Sequence, residues 1–114
     1  MRDITFYKTT QGKTPVEEFL DNLSAKHAQK VVWVMQLVEE LERIPAQYLK
    51  KLSGTEEIWE IRAQVGSDIF RILGFFIDSH TFLATNGFQK KSMAVPKSEI
   101  SLAEKRRKDY LRNK

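Results

Sequence analysis

At Pro45 the spacing of apolar residues in this chain changes from about 3.6 to about 2. The stretch just before it can therefore bury its hydrophobic side chains as helices, and the stretch just after it as strands. Upstream, Val16, Phe19, Leu20 and Leu23 form one helical stripe. Ala28, Val31/Val32, Met35, Val38 and Leu41 form a second, closed by Ile44-Pro45 with Glu42 facing out. Thr14-Pro15-Val16-Glu17 reads as a capping box, with Pro15 at the first helical position, and Ser24 caps the second helix, so the pair forms a helical hairpin. Before them, alternation around Ile4 and Phe6 predicts a short strand over residues 3–7, followed by a polar turn through Gly12.

Downstream, Lys50-Lys51-Leu52-Ser53-Gly54 suggests a brief strand and turn. Strands follow over 58–65, 69–77 and 81–88, joined by a tight turn at Gly66-Ser67 and another at Asp78-Ser79. That is an antiparallel meander. Beyond Pro96, the spacing of Ile100, Ala103, Arg107, Tyr110 and Leu111 predicts a terminal amphipathic helix with a thin apolar seam. The expectation is an α+β fold: an N-terminal strand and helical hairpin packed on a mostly antiparallel sheet, with a C-terminal helix. No repeat, low-complexity tract or linker divides residues 1–114, and 114 residues can bury a core without metal or disulfide staples, so one domain is expected.

The absence of cysteine excludes a disulfide framework and a thiolate metal site. No apolar run approaches membrane-spanning length, and Met1-Arg2-Asp3-Ile4-Thr5 is not a signal-peptide hydrophobic segment, so a cytoplasmic location is expected. The formal charge is +4, and residues 97–114 alone, with seven Lys or Arg against three acids, carry that excess. A basic balance suits nucleic acid or an acidic protein partner, and a solvated helix face accounts for the tail equally well.

The chemistry-bearing residues sit in the strands. Alternation through Ile58-Trp59-Glu60-Ile61-Arg62-Ala63-Gln64-Val65 puts Trp59, Ile61, Ala63 and Val65 on one face, and Glu60, Arg62 and Gln64 on the other. The next strand is apolar on both faces, with Arg71 as its single cation. Either Arg71 is half of a buried ion pair with Glu60 or Glu57, or it shares a face with Arg62 and the Lys90 end of the following strand in a polyanion site. In Asn86-Gly87-Phe88-Gln89-Lys90-Lys91, Phe88 can stack on a base while Lys90 and Lys91 meet phosphates; the alternative is a core phenylalanine beside solvated lysines. Lys50-Lys51 is a weaker dibasic signal of the same kind. Neither His27 nor His80 has a neighbouring acid arranged for general acid/base work, no His/Asp/Glu cluster has metal-ligand spacing, and no glycine pattern makes a nucleotide loop, so no cofactor is expected.

The ordered set of IWEIR, DIFRILGFF, FLATNGFQKK and a helix carrying AEKRRKDYL, after a strand and a helical hairpin, resembles the RelE/ParE superfamily of type II toxin–antitoxin toxins, closest to its phage-derived HigB-like branch. The resemblance covers nearly the whole chain. It implies a RelE-like fold and a toxin that cleaves messenger RNA in the ribosomal A site without a metal, the ribose 2′-hydroxyl attacking the adjacent phosphate. It also implies a cognate helix-turn-helix antitoxin of the HigA-like kind. The family's basic residue at the end of the W-E-I-R strand corresponds to Arg62, the arginine of the next strand to Arg71, and the basic residue after the last strand to Lys90 or Lys91. Two departures are visible: Glu60 stands where RelE has lysine, and no tyrosine lies between Phe88 and the last helix.

Arg62 and Arg71 are the expected stabilisers of a phosphorane-like transition state, since guanidinium groups can do this without a metal. Lys90 is the expected proton-transfer group, because a lysine crowded by cations is lowered towards neutrality. Lys50, Lys51, Phe88 and Lys91 complete an expected RNA-binding set. Two other functions share these residues: a ParE-like toxin that arrests gyrase, and a non-catalytic nucleic-acid or protein-binding module.

Overall fold

The apolar run Asp68–Phe76 lies at the centre of a five-stranded sheet in the computed structural model, which describes residues 1–91 and 93–113. In chain order the elements are β1 (Asp3–Phe6), α1 (Pro15–Asp21), α2 (Ala25–Glu40), β2 (Leu49–Lys51), β3 (Trp59–Val65), β4 (Asp68–Phe76), β5 (Thr81–Lys90) and α3 (Lys97–Arg112). The strands lie in the order β1-β5-β4-β3-β2. The sequential pairs from β2 to β5 are antiparallel, and β1 alone runs parallel to its neighbour, β5. The architecture is α+β, a mostly antiparallel sheet with a C-terminal helix, consistent with a RelE-like fold.

Period-2 alternation divides the core between the two faces. Phe70, Ile72, Phe82 and Ala84 meet Val16 of α1 and Val31, Val34 and Val38 of α2 on one side. Leu73, Phe75 and Leu83 meet Ala103 of α3 on the other. Because α3 packs on β4 and β5, the same face of β2 and β3 is left for other uses. Two glycines permit the close packing. A Cβ on Gly87 would lie 2.5 Å from the Phe19 ring, and one on Gly74 would meet the Leu83 carbonyl. At Gly74 the β4–β5 register slips by one residue, which makes Thr85 a bulge.

Several local expectations are corrected. The Thr14 side chain makes no cap hydrogen bond; Pro15 at the first helical position fixes the entry to α1, whereas Ser24 Oγ does accept from the His27 N–H at 3.2 Å. β1 ends at Phe6, one residue early, although the Tyr7 N–H still donates to the Ala84 carbonyl at 2.9 Å. β5 runs to Lys90 because Ile69 of β4 still pairs with it. Leu111 is 42% exposed and leaves the seam of α3 to Ile100, Ala103 and Tyr110. Among the described residues no helix is long and apolar enough to cross a membrane.

Candidate functional site

The hairpin turn between β3 and β4 sets the site. Gly66, at φ +60°, opens a two-residue turn that fixes the register so that Arg62 lies directly across from Arg71. Directly opposed residues share a face, and like charges so placed destabilise a strand pair. The same register sets Lys50 across from Glu60, and Ile69 across from Lys90 places Lys90 diagonal to Arg71 on that face. Three strands and β2 thus bring four cations around one carboxylate.

Glu60 is the carboxylate, 4% exposed. Its Oε1 lies 3.4 Å from Arg62 Nε and its Oε2 lies 3.5 Å from Arg71 Nε. Neither contact has hydrogen-bond geometry: Glu60 Oε2 and both Nε atoms are buried without a partner. The terminal nitrogens turn elsewhere, Arg71 NH1 donating to the Phe70 carbonyl at 3.0 Å and Arg62 NH1 to the Ala46 carbonyl at 3.2 Å. The two open alternatives for Arg71 therefore coincide in one place. It pairs with Glu60, not Glu57, and it also shares its face with Arg62 and Lys90. Glu57 is taken by Lys51, Nζ to Oε2 2.7 Å.

Burial is the main cause that lowers the Arg71 pKa, with Arg62 adding to it and Glu60 opposing it. Arginine remains protonated regardless, because its ordinary value exceeds about 12. Lys90 is lowered too, first by burial and then by Arg71, with Arg62 and Lys50 adding and Glu60 opposing. A cationic amine in that position gives up its proton more readily than a solvated lysine.

The remaining expected residues divide. Lys50 joins the cluster, whereas Lys51, across from Trp59, projects from the opposite face. Phe88 is 9% exposed in the cluster with Leu73, Phe75 and Ala103, which corrects its expected stacking role: a ring enclosed by α3 offers no face to a base. Lys91 is exposed just past the end of β5. Tyr110 packs on Phe75, ring centroids 5.9 Å apart, within the apolar cluster under α3.

β2 pairs only with residues 59–61 of β3, so beyond it the edge of β3 opens into a cleft of about 260 Å³ lined by Arg62, Arg71, Tyr48, Gln64 and Lys30. Lys30 and Tyr48 were not legible as site residues, because the cleft is made where α2 and the loop before β2 meet the sheet. His27 corrects another expectation: its Nε2 lies 3.4 Å from Asp68 Oδ2, a contact between α2 and β4 that local spacing cannot reveal. A second polar group missed in the sequence ties α3 to β1. The Tyr7 hydroxyl donates to Asp109 Oδ2 at 2.6 Å, which raises the Tyr7 pKa, and Arg106 donates to the Thr85 carbonyl at 2.7 Å. Among the described residues no three His, Asp or Glu gather as a metal-binding group.

A cationic face with one loosely held internal carboxylate can accept a phosphodiester by exchanging anion for anion. No curated protein matches the sequence. Residues 18–108, which include every residue of the cluster, match the family described as Phage derived protein Gp49-like (DUF891), and the chain belongs to that RelE-related, toxin-like family.

Proposed function

We propose that this protein is the toxin of a type II toxin–antitoxin pair, of the HigB-like branch, and cleaves messenger RNA on the ribosome. The observation that carries the reading is the meeting of Arg62, Arg71, Lys90 and Lys50 around the single carboxylate of Glu60. The scissile phosphate takes the place of that carboxylate between the two guanidinium groups. The ribose 2′-hydroxyl gives its proton to water as its oxygen attacks phosphorus, the bond to the 5′-oxygen breaks, and the products are a 2′,3′-cyclic phosphate and a 5′-hydroxyl. Arg62 and Arg71 stabilise the charge that grows on the non-bridging oxygens, where preorganised donors act most strongly. Lys90, with its lowered pKa, gives the leaving oxygen its proton. The ribosome supplies the alignment of the 2′-oxygen with the bond that breaks.

The partner is a helix-turn-helix antitoxin of the HigA-like kind, whose acidic segment complements the basic face, and both act in the cytoplasm. Purified protein is mixed with translating ribosomes and the 5′ ends of the cut messages are mapped. Arg71→Ala is expected to lower the cleavage rate by about 10² to 10³. Intact messages together with arrested growth and loss of DNA supercoiling would replace this reading with gyrase inhibition.

A further inference from the structure

The core of α2 is made by Val31, Val34, Met35 and Val38, yet the helix also carries a tryptophan that the core does not use. Trp33 is 43% exposed. Lys26, Lys30 and Trp33 follow one another at helical spacings of four and three residues, so they form one stripe. The Lys30 ammonium lies 4.5 Å from the centroid of the indole, and Tyr48 holds the ring in a T-shaped contact at 5.9 Å. This is a braced aromatic surface rather than a loose one.

Its position is the second observation. A depression of about 450 Å³ beside Trp33 shares Lys30 and Gln64 as walls with the cleft that holds Arg62 and Arg71. The two make one trough along the open edge of β3, from the arginine pair to the tryptophan. None of the described residues lining either part is acidic, and the trough supplies Lys26 and Lys30 in addition to the two arginines. A track of cations ending on an aromatic face suits a single strand of nucleic acid, in which phosphates and bases alternate. A partner helix would seek a groove of several apolar anchors; here Trp33 and Val65 are the apolar walls, and Lys26, Gln29, Lys30 and Gln64 surround them.

We propose that Trp33 stacks on a base of the RNA strand flanking the cleaved bond, with Lys30 and Lys26 on the phosphates between. This rests on the reading of the arginine site as RNA-cleaving, and it adds a base-binding subsite outside the cleavage centre. The ring accepts any base, so the subsite adds grip more than sequence choice.

The chain contains two tryptophans. In Trp59→Phe, Trp33 alone reports. Non-cleavable 2′-O-methyl oligonucleotides are titrated into that variant, either with bases throughout or abasic along the flanking segment. Quenching is expected with the base-bearing strand and not with the abasic one. Trp33→Ala should weaken binding of the base-bearing strand about 5- to 100-fold, leave the abasic strand unaffected, and be largely rescued by Trp33→Phe. If Trp33 emission and Trp33→Ala affinity stay as in the parent while ribosomal cleavage persists, the subsite is refuted and the nuclease reading stands. If the wild-type protein neither cleaves nor binds RNA, the nuclease reading falls and takes the subsite with it. Quenching by a bound antitoxin and none by RNA would likewise overturn the assignment.

Discussion

The two faces of the sheet are made by the same strands and end in opposite chemistry. Toward α1 and α2, β3 and β4 present Ile61, Ala63, Phe70 and Ile72, all buried in a continuous apolar cluster. Toward the other side, the residues between them are Glu60, Arg62 and Arg71. Alternation makes this division possible, and the length and placement of α3 decide what it is used for. Where α3 covers the second face, over the Leu73–Phe75 part of β4 and the facing part of β5, that face is mostly apolar too, through Leu73, Phe75 and Leu83, with buried Asn86 hydrogen-bonded to Glu99 of the helix. Where the helix is absent, charges are partly buried against each other. One face is held by burial, and the other is held in spite of it, because removing charges from water is unfavourable unless they are well paired.

Neighbouring residues on β4 give the sharpest contrast. Phe70→Ala on the helical face removes a ring that meets Phe19 and His27, and should destabilise the fold by about 3–5 kcal/mol. Chemical denaturation would show this as a lowered midpoint with an unchanged slope. Arg71→Ala, one residue on, is expected to act mainly on the proposed cleavage. A Phe70→Ala protein of undiminished stability would break the assignment of that face as the core.

Glu60→Gln probes the charged face directly. Removing the internal anion leaves Arg62 and Arg71 opposed without compensation, and breaking a buried pair typically costs about 3–5 kcal/mol. Oxygen atoms remain in place and the long contacts are not full hydrogen bonds, so the lower end of that range is expected. On the proposed function, affinity for RNA should rise at the same time, with a steeper dependence on salt, since a phosphate entering the site would no longer compete with a carboxylate. Weaker RNA binding in a folded Glu60→Gln protein would mean that the carboxylate helps to shape the site and is not what the substrate displaces.

The helical face was legible from the sequence because its signals are local. The stripes of α1 and α2, the Ser24 cap and the alternation in β3 each need only nearby residues. The meeting of Arg62 with Arg71 was legible for a similar reason: a two-residue turn at Gly66 sets the register of everything around it. Other features depend on contacts between distant segments and could not be read. Phe88 has the same sequence appearance whether α3 covers it or not, and α3 does. Lys30 and Tyr48 enter the cleft only because β2 stops early. The pairing of His27 with Asp68, and of Tyr7 with Asp109 more than a hundred residues away, is set by helix placement.

That last pair ties the C-terminal part of α3 to the residue after β1, so it bears on the comparison with a smaller effect. The Tyr7 ring is buried, and its hydroxyl donates to Asp109 while Arg106 lies over the ring at 5.5 Å. Tyr7→Phe should destabilise the protein by about 1–2 kcal/mol at neutral pH, as loss of one hydrogen bond to a charged acceptor does. The hydrogen bond to Asp109 is the main cause that raises the Tyr7 pKa, with burial and the Asp109 charge adding and Arg106 opposing. A folded-state value above the unfolded one means that this contribution is complete below about pH 10 and fades as pH rises through the raised value. Urea midpoints of the two proteins should therefore differ at pH 7 and converge in strong alkali. A gap that persists there would place the stabilisation in ring packing, and leave the position of α3 to Ala103 and its apolar neighbours.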